Sequence, residues 1–174
     1  MSSDSNRPVV ANPAGLLQSE RIMYGALLFS HAVYAGLALY LPMPAADSPT
    51  PGNSLGTILA VISICAAGAA LTLHSVGFAD AQIDKWIDAA SQKFKEPDQA
   101  QAAVRQRAMP LSLMRWSMAS AASIMGLMTT LTGSLSRHNA VLFIALGALV
   151  HLYCQPRLGQ VQARIAERAS GSPL

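Results

Sequence analysis

The sequence predicts an all-α integral membrane protein, with four transmembrane helices arranged as two parallel-repeat hairpins and a cytoplasmic amphipathic helix between them. Three observations carry this expectation. Residues 22–46, 48–79, 116–136 and 138–156 contain no Asp, Glu, Lys or Arg, and a bilayer core takes about 20 mostly apolar residues per helix. Charged residues make up only 12% of the chain and hydrophobic ones 52%, against a charged share of roughly 25% in soluble domains. The run from Leu55 to Leu73 is apolar or small on every side, where a soluble helix keeps a polar face.

Each element follows from local chemistry. Residues 1–18, rich in Ser, Asn and Pro, are expected to form a flexible tail. Hairpin one occupies 19–78, with spans over about 20–41 and 54–76. Pro42 and Pro44 stop the first span, and Gly77 is placed to close the second. The run from Ile22 to Leu41 is longer than the roughly 7–15 residues of a signal-peptide core and reads as a retained span. Within the connector 79–109, Ile83, Trp86, Ile87, Ala90 and Phe94 recur at spacings of three and four and share one helical face. Asp80 is a candidate N-cap for that helix, which should stop before Pro97. A second short helix is expected from Pro97 to Ala108, and Pro110 then opens hairpin two, 110–156, with spans at about 110–132 and 139–155. Residues 157–174 read as a C-terminal tail that begins as a short helix.

Charge placement gives the orientation. Eleven of the twelve Lys and Arg residues flank the start of the first span, the connector or the end of the last span; only Arg137 lies on the other side. The positive-inside rule therefore predicts both termini and the connector in the cytoplasm of an inner (plasma) membrane protein. The net charge of +3 is scattered beside spans with no basic, aromatic-interleaved stripe, which argues against nucleic acid as a partner. Cys65 and Cys154 fall at different predicted depths and form no CxxC or Cys/His zinc spacing, so neither a disulfide nor a metal site is expected.

The chain echoes itself. Ser30-His31-Ala32-Val33-Tyr34-Ala35-Gly36-Leu37 aligns with Ser120-Ala121-Ala122-Ser123-Ile124-Met125-Gly126-Leu127, matching at four of eight positions and sharing Ala-x-x-x-Gly. Small residues four apart let helix backbones approach, so Ala32, Gly36, Ala122 and Gly126 are predicted packing residues. Two hairpins in parallel orientation, with starts such as Arg21-Ile22-Met23-Tyr24-Gly25 and Arg115-Trp116-Ser117-Met118, resemble the duplicated c- or K-like proteolipids of rotary ATPases over about residues 20–156. The resemblance implies a ring-forming or scaffold role. It departs at the ion-binding carboxylate, since no charge-free stretch holds an acid and Ser120 stands where the c-like relatives carry one.

Four polar positions invite chemistry. His31, with Tyr34 three residues on, falls near mid-bilayer; it suits a proton relay or ligand site, or a neutral imidazole bonded to Ser120 or Ser123. His74 and His151, near the cytoplasmic ends of the second and fourth spans, suit axial ligation of a b-type haem or a quinone site. The Ile83/Trp86/Ile87/Phe94 stripe suits the membrane interface, a partner subunit, or the protein's own bundle. No Ser/His/Asp set, P-loop, GxGxxG or HExxH occurs, and no enzyme activity is expected. The sequence thus points to a non-catalytic, cofactor-free protein of the lipid bilayer, an oligomeric scaffold or accessory subunit contacting copies of itself or other membrane subunits. An electron-transfer subunit on His74 and His151, and a small transporter, are the competing readings.

Overall fold

The computed structural model describes residues 13–41 and 54–169, and these are helical, with no strand among them. The six helices are α1 (Pro13–Tyr40), α2 (Ser54–Gly77), α3 (Asp80–Lys93), α4 (Pro97–Leu131), α5 (Arg137–Tyr153) and α6 (Leu158–Ala169). Three segments are long and apolar enough to cross a membrane: Leu17–Tyr40, Ser54–Gly77, and Arg137–Arg168, whose apolar part is α5. The surface agrees with that composition. Phe29, Ile58, Val61, Leu142 and Leu149 are exposed, while Ser63, Ser112, Ser123, Thr129 and Thr130 are buried. Apolar side chains outside and polar ones inside is the arrangement a lipid solvent favours.

The central element is α4, which packs on every other helix. Its sequence explains the position. The half from Ser112 to Thr130 carries Arg115 and five buried Ser or Thr residues, polar groups that need helices around them rather than lipid. Each neighbour meets α4 along a narrow strip. Helix α2 buries Gly56, Ser63, Ala67, Ala70 and His74, and α5 buries Ala140, Ile144, Gly147, Val150 and His151. The Ser63 hydroxyl donates to the Ala122 carbonyl at 3.0 Å, binding α2 to α4.

Of the two predicted hairpins, the second is present, since α4 and α5 pack closely across the short 132–136 link, but the first is not. Helices α1 and α2 share no packed interface; α1 lies against α4 and α5, and α2 lies against α4 and more lightly against α5. The parallel relation of the first and third apolar segments does appear. Ser112 meets Glu20 and Ser123 meets His31, both across a separation of 92 residues, so α1 and α4 run in the same direction at constant register.

The connector also differs from expectation. A single 35-residue helix replaces the predicted break, with Pro110 inside it. An internal Pro costs about 3 kcal/mol or more by losing one hydrogen bond and crowding the carbonyl four residues back. Here Pro110 and Gln106 are exposed, and both halves of α4 are fixed by separate cores. Packing outweighs the local breaker. The predicted boundary between connector and second hairpin therefore falls inside one rod. Asp80 is the first residue of α3 rather than its cap, which is Ala79. Helix α1 begins at Pro13, so the predicted tail is helical from there; residues 1–12 and the loop prolines Pro42 and Pro44 lie outside the described residues.

The stripe on α3 is covered by the chain itself. Ile83, Trp86, Ile87 and Ala90 are buried with Phe78, Val104, Ala108, Leu158, Val161 and Ile165, and Phe94 is half-buried. The last three of these come from α6, at spacings of three and four, so the expected tail is an amphipathic helix that caps α3 and α4. Charges reinforce the joint. Arg164 contacts Asp80 at 2.9 Å and Asp84 at 3.1 Å, and Arg168 contacts Asp84 at 3.6 Å and also Asp88. On α4, burial pulls the Arg105 guanidinium below its ordinary pKa, with Asp98 acting in the opposite sense.

Helix ends obey known signals. Gly133, at φ 61°, closes α4: its N–H reaches the Thr130 carbonyl at 3.2 Å and the Ser134 N–H reaches Thr129 at 3.1 Å. Ser136 caps α5 by accepting from the Asn139 N–H. The Arg137 guanidinium donates to the Leu41 carbonyl at 3.0 Å, tying the end of α1 to the start of α5.

Candidate functional site: a buried polar cluster

Two linked groups of polar side chains occupy the interior. The first joins α1, α4 and α5. His31 Nδ1 lies 2.7 Å from Ser123 Oγ, and His31 Nε2 lies 3.3 Å from His151 Nδ1. Ser123 Oγ donates to the Ile144 carbonyl at 3.0 Å, and the Tyr24 hydroxyl to the His151 carbonyl at 3.4 Å. Aromatic rings enclose His151. Tyr24 stands 4.9 Å away between centroids, and Trp116 is stacked at 6.2 Å with 19° between planes. Trp116 is itself fixed, its Nε1–H donating to the Cys154 carbonyl at 2.7 Å.

The second group lies toward α3 and α6. Arg115 is 0% exposed. Its Nη1 meets His74 Nδ1 at 2.8 Å, and its Nη2 donates to the Gln155 carbonyl at 2.8 Å. The guanidinium also covers the Phe78 ring at 4.2 Å, a cation–π contact that spreads its charge onto an aromatic face. Because an Arg nitrogen only donates, His74 Nδ1 must accept, which fixes His74 as a neutral imidazole with its proton on Nε2. Glu20, 1% exposed, supplies the opposite charge. Its carboxylate accepts from the backbone at Arg157 and Leu158, where α6 begins, and from Ser112 Oγ at 3.4 Å. Placed there it satisfies free N–H groups and the positive end of the α6 dipole.

The sequence-chosen residues divide clearly. His31 has the serine partner expected of a neutral imidazole, Ser123; the Ser120 hydroxyl is buried with no partner. Tyr34 is half-buried and meets His31 edge-on, with centroids 6.4 Å apart. His74 and His151 are not turned toward each other. His74 is held by Arg115 and lies beside the Tyr153 ring, whereas His151 is held by His31 between Tyr24 and Trp116. Each imidazole thus engages a different set of side chains. Among the described residues no group of three His, Cys, Asp or Glu side chains has metal-binding geometry.

The small-residue strips part company. A side chain added at Gly126 would meet the Ala140 carbonyl at 2.8 Å and Phe143 Cβ at 2.9 Å, so this strip packs on α5 rather than on α1. Gly147 is tighter still, facing the Ala119 carbonyl at 2.7 Å and the Ser123 hydroxyl. Ala122 is buried, but Ala32 is exposed and nothing lies within 4 Å of a side chain added at Gly36. Beside it, a cleft of about 300 Å³ runs between α1 and α5, lined by Leu28, His31, Ala32, Ala35, Ile144 and Ala148.

Sequence reasoning missed Arg115, Glu20 and Trp116. Arg115 reads from sequence as a flanking charge and Glu20 only as the start of the first span; the available signal was that an acid and a basic residue precede the first and third charge-free stretches. No protein-family model, curated protein or solved structure matches the chain.

Proposed function

We propose that the chain is a non-catalytic polytopic membrane protein that acts through assembly, as an oligomeric scaffold or accessory subunit of a larger inner-membrane complex. On this reading α4 is the fourth span, its polar side chains turned toward the three more apolar ones while Met114, Ile124, Met128 and Leu131 remain exposed. Both termini and the α3/α6 cap lie in the cytoplasm, as the placement of Lys and Arg favours. The parallel register of α1 and α4 supports a duplicated, proteolipid-like ancestry, since the sequence echo is offset by a similar distance.

One observation carries the assembly reading. Only 11% of the apolar window of α1 is buried within the chain. Gly25, Phe29, Ala32 and Gly36 fall on one face of that helix, Phe29 and Ala32 are exposed, and side chains added at either glycine would meet nothing within 4 Å. Lipid supplies no hydrophobic drive between helices, so close packing along such a face is what another helix would use. Gly36→Leu separates assembly from folding, because it adds bulk only on the outside. The expected result is loss of oligomer or co-purifying subunits by native mass spectrometry and crosslinking, with monomer stability unchanged. An unaltered assembly in Gly36→Leu would overturn the reading.

A further inference from the structure

We propose that His151 is a proton-binding site inside the bundle, taking up one proton to become an imidazolium held by His31, Trp116 and Tyr24. This goes beyond the assembly reading and does not depend on it. The hydrogen-bond partners fix where each hydrogen lies. Ser123 Oγ carries one hydrogen, and the Ile144 carbonyl beside it can only accept, so the hydroxyl donates there. Its oxygen then accepts from His31 Nδ1–H at 2.7 Å. A neutral His31 with its proton on Nδ1 has a lone pair on Nε2, so His151 must present Nδ1–H to it across 3.3 Å. The neutral cluster ends at His151 Nε2, a lone pair that is fully buried and has no partner. Every other imidazole nitrogen in the pair is used. The open position accepts a proton.

Burial opposes a charged imidazole, and the neighbouring groups offset part of that cost. A cation gains from aromatic faces within about 6 Å, and His151 has Trp116 stacked on one side and Tyr24 tilted at 4.9 Å on another. Protonation at Nε2 also strengthens the Nδ1–H donated to His31, because a charged donor makes a stronger bond. The groups facing the site are Tyr24 and His31 on α1 and Arg115 and Trp116 on α4, with Ser123 behind His31; Cys154, which follows α5, and His74 of α2 are reached only through Tyr24 or Arg115. Two groups oppose the proton, a His31 that is itself protonated and Arg115, and Glu20 lies behind Arg115 as its counter-charge.

Trp116 reports on the site directly, since an imidazolium stacked on an indole quenches its fluorescence and a neutral imidazole does so weakly. The chain has two tryptophans, so full-length Trp86→Phe protein in lipid nanodiscs leaves Trp116 as the sole emitter. Its emission is expected to fall on acidification in a single one-proton step, with helicity unchanged by circular dichroism. His151→Gln should abolish the step. His138→Gln and His74→Gln should retain it, and Ser123→Ala, which removes the acceptor that orients His31, should move its midpoint to lower pH. Emission that stays independent of pH while the protein remains folded, or a step that survives in His151→Gln, overturns the proposal. Should Trp86→Phe fail to fold, ring ¹⁵N shifts of histidine-labelled wild-type protein give the same decision: His151 Nε2 either changes from lone-pair to protonated over the acid range or it does not.

Discussion

At the scale of single residues, three glycines set the helix spacing and a fourth does not. Gly126 and Gly147 bring α4 and α5 into backbone contact, and a side chain added at Gly56 would meet the Ser134 carbonyl at 2.7 Å, whereas Gly36 faces open space. Gly126→Leu should therefore destabilise the bundle by at least about 1–3 kcal/mol, the usual cost of overpacking, read as a lower unfolding midpoint in mixed micelles. Gly36→Leu should leave that midpoint where it is. A milder effect is expected of Ser63→Ala, which removes one interhelical hydrogen bond worth about 0.6 kcal/mol in a membrane protein. The sequence showed the Ala-x-x-x-Gly strips but not their partners, because four-residue spacing gives a face and says nothing of which helix it meets. His31 was legible for a better reason: a mid-span imidazole without a charged partner needs a hydroxyl, and Ser123 supplies it. Arg115 was read as a flanking charge because its burial depends on Phe78, His74 and Gln155, three side chains or carbonyls from other elements.

At the scale of elements, the cap is held by an apolar seam flanked by charges. Trp86 lies at the centre of the seam, so Trp86→Ala should cost about 3–5 kcal/mol and expose α6 to protease while leaving the apolar helices protected. The Asp80/Asp84/Asp88 ladder against Arg164 and Arg168 is partly exposed. A double-mutant cycle on Asp84→Asn and Arg164→Gln should give a coupling of only about 0.2–1 kcal/mol, and it should shrink as salt rises. The α3 stripe was plain from spacing alone. Its cover was not, although Leu158, Val161 and Ile165 carry the same periodicity, because a short helix after a prolines-and-Arg junction reads as a tail until something is found for it to cover. The continuity of α4 through Pro110 was illegible for a physical reason as well. Local propensity argues for a break there, and only the two cores on either side override it.

At the scale of the whole molecule, the sequence anticipated helices, apolar segments and the α4/α5 pair but not the separation of α1 from α2, since hydropathy ranks segments and does not say which ones touch. The orientation proposed from Lys and Arg placement has a direct check. Cys65 is exposed on α2 and is replaced by Ala first, while Cys154 is buried. An impermeant thiol reagent added from outside should then label His138→Cys, at the start of α5, and spare Gln92→Cys on α3; both positions are exposed. The opposite pattern would invert the topology.

The central place of α4 has a consequence for how the molecule is made. Helices α1 and α2 leave the ribosome before α4 and share no packed interface, so each must be stable in lipid without the other until later helices arrive. They are also segments apolar enough to meet that demand, whereas α4 does not rank among the segments able to cross by composition. Its buried Ser, Thr and Arg side chains find partners only when earlier helices are already waiting, and α5 then closes the remaining flank. Biogenesis thus runs from helices that need no companions to one that needs them all, and a nascent chain halted before α4 would hold two separate spans with nothing to join them.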